Sequence, residues 1–164
     1  MILGMTPLTF VHVLLSLIGI FTGIVVLFGM LSAHRLPGWT LVFLTTTILT
    51  SVTGFFFPFV KFMPSHAVGI LSLFVLAWSL LGLYTFNLAG AWRWIYVVTA
   101  VIGLYLNVFV LVAQGFAKVP ALHALAPTQA EPPFAIAQGI VLVIFLVFGY
   151  LAVRRFHPVA LRRY

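Results

Sequence analysis

The stretch Leu8–Ser32, LTFVHVLLSLIGIFTGIVVLFGMLS, decides the fold. It carries no Lys, Arg, Asp or Glu from end to end. Coiled as a helix rising about 1.5 Å per residue, it is longer than the ~30 Å hydrocarbon core of a bilayer. Four further runs have the same character: Trp39–Phe57, Ala67–Leu88, Trp94–Ala117 and Phe134–Val153. A buried isolated charge costs several kcal/mol in lipid, so runs free of charge are what spanning requires. The chain is therefore expected to be all-α, an integral membrane bundle of five transmembrane helices forming one domain over residues 1–164.

The rest of the composition agrees. Only 5% of the 164 residues are charged and mean hydropathy is +1.28. A soluble domain needs about 25% charged residues to cover its surface. The formal charge of +7 would elsewhere point to nucleic acid. Here four of the eight basic residues, Arg154, Arg155, Arg162 and Arg163, follow the last apolar run. That position reads as a topology signal and a contact for anionic lipid, with no nucleic acid partner. With no Cys and a single acid, Glu131, thiolate metal sites, a Cys nucleophile and paired-carboxylate chemistry are excluded within one chain. No Lys or Arg precedes the first run, which is about twice the length of a signal-peptide core, so it is expected to be retained.

The breaks between runs use turn chemistry. His34-Arg35-Leu36-Pro37-Gly38 separates the first two. Pro58 and Pro64 bracket a loop holding Lys61, and Ser65 is expected to cap the third helix. Gly90 suits a helix C-terminus between the third and fourth. In the long connection Lys118–Pro133, residues Pro120–Ala126 predict one short interfacial turn. Pro132 and Pro133 fit the first turn of the last helix, where a missing N–H costs nothing. The second run is the weakest, with six Thr and one Ser.

Charge placement sets the expected orientation. With the C-terminus cytoplasmic and the N-terminus outside, five spans collect Arg35, Arg93, Arg154, Arg155, Arg162 and Arg163 on the inner side. Lys61 and Lys118 fall on the outer side with Glu131. That is the direction of the positive-inside rule. Trp39, Trp92 and Trp94 fall at the inner interface, and Phe55–Phe57, Phe59 and Phe62 crowd the outer end.

Small and polar residues mark buried faces in lipid. The first helix offers His12, Ser16, Gly19 and Gly23, with a GxxxG motif that marks either a dimer face or an intrachain contact. The second offers Thr46, Thr50 and Thr53, and the fourth Tyr96, Ala100, Gly103, Asn107 and Gln114. Trp78, near the middle of the third run, is expected to turn its N–H toward the bundle.

One constellation bears on function. His12, Thr53, His66, Gln114 and Gln138 all fall within about one to two helical turns of the outer edge, each on a different helix. His12 and His66 are candidate axial ligands for the iron of a b-type haem, with Lys61 or Lys118 available to its propionates. His12, His66, Gln114 and Gln138 also suit the carbonyl oxygens of a quinone. The bland alternative is that both histidines are interfacial residues bonded to a neighbouring helix or to water. Glu131 fits either a capping box with Thr128 or an ion pair with Lys118 or Lys61.

Segments Ser51–Phe59 (SVTGFFFPF), Ala89–Val112 (AGAWRWIYVVTAVIGLYLNVFVLV) and Ala126–Phe134 (APTQAEPPF) resemble a group of small bacterial multi-spanning inner-membrane proteins. The resemblance implies a multi-pass location in the bacterial inner membrane and carries no activity with it. Three functions compete. The first is an accessory or scaffold subunit without catalysis, in a homo-oligomer or a larger membrane complex. The second is a redox membrane subunit binding haem b or quinone. The third is a small oligomeric channel or carrier lined by Thr.

Overall fold

The computed structural model describes residues 6–57 and 64–158. The roles expected of Lys61, of Phe59 and Phe62, and of Arg162 and Arg163 lie outside these residues. The described chain is all helical. The helices are α1 (Pro7–Leu31), α2 (Pro37–Gly54), α3 (Pro64–Leu80, continued by a π-helical turn Leu81–Thr85), α4 (Trp92–Lys118), the short α5 (Pro120–Leu125) and α6 (Pro132–Arg155). Four of them, α1, α3 with its π turn, α4 and α6, are long and apolar enough to cross a membrane.

The first helix starts where Thr6 accepts the Thr9 N–H, with Pro7 in the first turn. It ends in a tight reversal in which His34 N–H donates to Gly29 O at 2.8 Å and Ala33 takes φ +59°. A Cβ on Gly29 would stand 2.7 Å from Leu36, so glycine is what lets the reversal close. Helix α2 then returns antiparallel along α1. The approach is marked by Gly23 against Phe43, Gly19 against Thr47, and His12 against Thr53. The GxxxG motif is thus filled within the chain, by α2 and by Leu104 and Asn107 of α4. Rich in Thr and therefore less apolar, α2 is not among the four. Four of its seven hydroxyls are nonetheless satisfied within the helix: Thr46, Thr50, Ser51 and Thr53 each donate to the carbonyl four residues earlier.

Helices α3 and α4 form a second antiparallel pair. Gly103 admits Leu76, Ser79 and Thr99 share a hydrogen bond at 2.8 Å, and Gly82 lies against the backbone of Trp92. The last helix runs antiparallel to α4. Gln138 reaches Phe109 O, Tyr105 meets Phe145, Val101 meets Gly149, and Arg93 donates to Val153 O. Close packing, rather than exclusion of water, is what holds such helices together in lipid. Phe43, Leu44, Leu76, Val97 and Leu104 fill the centre. The outward faces are apolar, α6 most of all, with Ile136, Val143 and Leu146 about 60% exposed. Four arginines, Arg35, Arg93, Arg154 and Arg155, gather at the end where α1 finishes and α4 begins. Lys118 and Glu131 lie at the other.

Several local expectations need correction. Ser65 is inside the first turn of α3, which begins at Pro64, so it is not the cap. The third helix ends after Thr85, earlier than Leu88. The left-handed positions that close it are Asn87 (φ +47°) and Leu88 (φ +61°), and Gly90 (φ +53°) belongs to the approach to α4. Trp78 is 39% exposed and does not turn into the bundle. It stacks on Trp92 at 5.9 Å, and Trp92 stacks on Phe86 at 3.9 Å. The aromatic ladder outside offered Trp78 more contact than the Gly-lined, closely packed interior. The short turn over Pro120–Leu125 and the Pro132–Pro133 start of α6 are as expected.

Candidate functional site

The two helical pairs touch closely at the arginine end, where the bulky core residues sit. At the Lys118 end their facing side chains are small: Ser16, Ser51, Gly54, Gly69 and Ser72. Small residues facing one another across four helices leave volume unfilled. The result is a cavity of about 780 Å³ between α1, α2, α3 and α4. This is within the range of pockets that hold small organic ligands. Leu17, Val68, Val110 and Leu111 make much of its wall apolar.

Three of the four residues singled out from the sequence line this one cavity: His12 from α1, His66 from α3 and Gln114 from α4. Asn107 and Lys118 join them. The fourth, Gln138, does not line it. It is buried between α6 and α4, with Nε2 donating to Phe109 O at 3.0 Å and Oε1 buried without a partner among the described residues. Depth alone grouped Gln138 with the others. Its azimuth on α6 directs it to the far side of α4.

The tautomer of His12 follows from its partner. His12 Nδ1 is 2.9 Å from Thr53 Oγ1. The single hydroxyl hydrogen of Thr53 is already committed to its own helix, to Leu49 O at 2.8 Å and Thr50 O at 3.1 Å. With that hydrogen given to its own helix, the hydroxyl accepts from His12 Nδ1–H. In the neutral ring Nε2 is then a bare acceptor. An Nδ1–H held by the protein with Nε2 left as a lone pair is how proteins orient imidazole for a metal or a hydroxyl donor. The ring is fixed further by the edge contact with Phe57 at 5.2 Å.

His66 is 6% exposed and lies beside Phe55, with ring centroids 6.1 Å apart. Asn107, deep on α4, gives one amide hydrogen to Thr47 Oγ1 at 3.3 Å. Two imidazoles, amide groups and an ammonium are thus gathered in an apolar chamber. Among the described residues no group of three or more His, Cys, Asp or Glu is assembled to hold a metal. His12 and His66 line the same cavity, and two imidazoles would hold an ion only if its other ligands came with it, as those of a haem iron do.

Outside the cavity, Glu131 forms neither the expected ion pair with Lys118 nor a complete capping box. Its carboxylate accepts the Thr128 hydroxyl at 2.8 Å and the N–H groups of Thr128 and Ala130. Partial loss of water raises its carboxyl. The bonds from Thr128, then from its own backbone and those of Thr128 and Ala130, lower it by more, so it rests below the usual value. Half of the box, the carboxylate returning to Thr128 N–H, is present. Glu131 is itself the residue before α6, so the box starts no helix. No protein-family model matches the chain, and neither a curated protein nor a solved structure gives a match.

Proposed function

We infer that this chain is a five-span membrane protein that holds one lipophilic ligand of the quinone or quinol class in the cavity beside His12. It acts as an accessory subunit to a partner that uses that ligand. The observation that carries the reading is the cavity itself: about 780 Å³, mostly apolar, with polar groups of opposite capacity on its walls. The bare Nε2 of His12 accepts a hydroxyl. Gln114, Asn107 and Lys118 donate to a carbonyl oxygen. An apolar tail suits the remaining wall.

The fifth span is α2. It runs alongside α1 from Phe43 at Gly23 to Thr53 at His12, and 18 residues give about 27 Å of helix. Four of its seven hydroxyl groups, those of Thr46, Thr50, Ser51 and Thr53, bond to its own carbonyls and so oppose burial in lipid less. Five spans with the arginine end cytoplasmic and the N-terminus outside satisfy the positive-inside rule. A bacterial inner membrane is the location that the resemblance of residues 51–59, 89–112 and 126–134 supports. The channel reading has less behind it, because Thr46, Thr47 and Thr50 are buried inside one chain and unavailable to line a pore between copies.

The test is organic extraction of detergent-purified protein followed by chromatography and mass spectrometry. The reading expects an isoprenoid quinone near one per chain, lost in Ser16→Phe, which fills the cavity, and reduced in His12→Leu. Absence of any such lipid from protein purified in mild detergent, at every stage of washing, refutes it. Haem is the second reading, favoured by the Nδ1–H tautomer of His12 and the presence of His66 in the same chamber.

A further inference from the structure

A second, smaller cavity of about 200 Å³ lies at the opposite end of the bundle, well apart from His12. Its polar lining is His34, Arg35, Thr40, Tyr84, Asn87 and Tyr96. Both walls are built from irregular backbone. One is the α1–α2 reversal, with Ala33 in the left-handed region. The other is the π-helical turn Leu81–Thr85, followed by Asn87 and Leu88 at φ +47° and +61°. A bulky residue such as Leu88 rarely adopts that conformation. π turns and such strained positions occur most often where backbone is shaped around a function.

The strain has a local cause and a local result. Phe86 N–H reaches back to Leu81 O and Leu88 N–H to Gly82 O, both at 2.9 Å. The chain is thereby tucked under, and Tyr84 and Asn87 line the same cavity as Arg35. At the cavity floor Tyr96 is 2% exposed, beside Thr40 in the same lining. Among the described residues no carboxylate opposes Arg35, because the one acidic side chain, Glu131, is at the other end of the bundle. The cavity therefore offers a guanidinium, an amide and two phenols. It is too small for a ligand of the size the first cavity accepts.

We propose that this cavity binds a phosphate-type oxyanion, either the headgroup of an anionic lipid or a free phosphate, held by Arg35 with Asn87 and Tyr84. The guanidinium matches such an anion with two parallel hydrogen bonds. Basic pockets between helices at a membrane face recognise phospholipid headgroups by the same chemistry. The site is independent of the ligand inferred for the cavity beside His12.

The experiment is a binding titration of the full chain in neutral detergent, read by native mass spectrometry and by thermal stability. The probes are phosphatidylglycerol, phosphatidylcholine as the neutral control, and inorganic phosphate. One saturable phosphatidylglycerol site is expected, weakened roughly tenfold or more in Arg35→Gln, the loss of a charged hydrogen-bonding partner. It is expected to persist in the double variant Arg154→Gln, Arg155→Gln. If inorganic phosphate shows the same dependence on Arg35, the source is a free anion. If only the lipid does, it is a headgroup. Should Arg35→Gln fail to fold, Asn87→Gly decides: glycine keeps the left-handed backbone, and a several-fold weakening is expected. Binding that survives Arg35→Gln or Asn87→Gly unchanged, or that depends on Arg154 and Arg155 alone, overturns the proposal. So does the absence of saturable binding with either anion.

Discussion

Arg93 ties the fourth helix to the end of the sixth, and its removal gives a prediction with a calculable size. The last carbonyls of any helix lack intrahelical partners. At the end of α6, Arg93 Nη1 donates to Val153 O at 2.9 Å and to Phe156 O at 2.8 Å. It also sets a positive charge at the negative end of that helix. A hydrogen bond from a charged donor contributes about 1.5–3 kcal/mol. Here two share one half-buried guanidinium near the membrane face, so together they are worth about 2–4 kcal/mol. Arg93→Met keeps the stem but strands both carbonyls, and is expected to lower stability by that amount. Arg93→Lys keeps the charge on a shorter reach and is expected to recover about half. Equilibrium unfolding by sodium dodecyl sulfate from mild detergent, followed by circular dichroism, reads the difference. Hydrogen exchange localises it, with faster exchange expected at 153–156. Stability of Arg93→Met within about 0.5 kcal/mol of the parent, the range of an inconsequential surface change, refutes the reasoning.

Three further outcomes follow from the geometry. Gly23→Ala places a Cβ 2.6 Å from Leu104 and 2.8 Å from Phe43, both 1% exposed, and is expected to cost about 1–3 kcal/mol in the same unfolding assay. Gly139→Ala meets nothing within 4 Å on an exposed face of α6, and is expected to be neutral or to stabilise by up to about 1 kcal/mol. Equal effects of the two would contradict the packing described. The depressed carboxyl of Glu131 makes a stabilising contribution that is complete above its unfolded value near 4.5 and is lost as pH falls through its lower folded value. The turn 128–131 should therefore loosen in acid. Glu131→Gln should remove that pH dependence, as followed by proteolysis of the connection between α4 and α6. Because the protein has no Cys, single cysteines report sidedness cleanly. Ser32→Cys and Phe56→Cys are expected to react with an impermeant thiol reagent from opposite sides of the membrane, and reaction from one side would remove α2 from the spans.

Much of the architecture was legible because lipid imposes a simple grammar. Charge-free runs gave the helices, and prolines gave their starts at Pro120 and Pro132. Of the stripe Tyr96, Ala100, Gly103, Asn107 and Gln114, the first four are buried on α4, and Gln114 is exposed at the open end of the cavity. The gathering of His12, His66 and Gln114 in one cavity was also foreseeable, since depth and small-residue stripes both pointed there. Gln138 was misgrouped because a helix fixes depth along its axis, whereas azimuth is set by neighbours the sequence does not name. The same limit applies to Trp78. The bond from Arg93 to α6 had no signal beyond a lone Arg before an apolar run, which reads equally well as a topology charge. The π turn and the left-handed Leu88, closed by the bonds from Phe86 N–H to Leu81 O and from Leu88 N–H to Gly82 O, are announced by no residue pattern along the chain.

The most direct test of the ligand-bearing cavity is an ultraviolet–visible spectrum of the detergent-purified protein before and after reduction. A near-ultraviolet band that bleaches on borohydride reduction, and is missing from Ser16→Phe, is the result predicted for a bound quinone. A Soret band that shifts on dithionite reduction and disappears in His12→Ala or His66→Ala would replace quinone by haem in the same chamber. Aromatic absorbance alone, even from cells supplied with both ligands, would contradict a ligand-binding role and leave the cavity to ordinary membrane lipid.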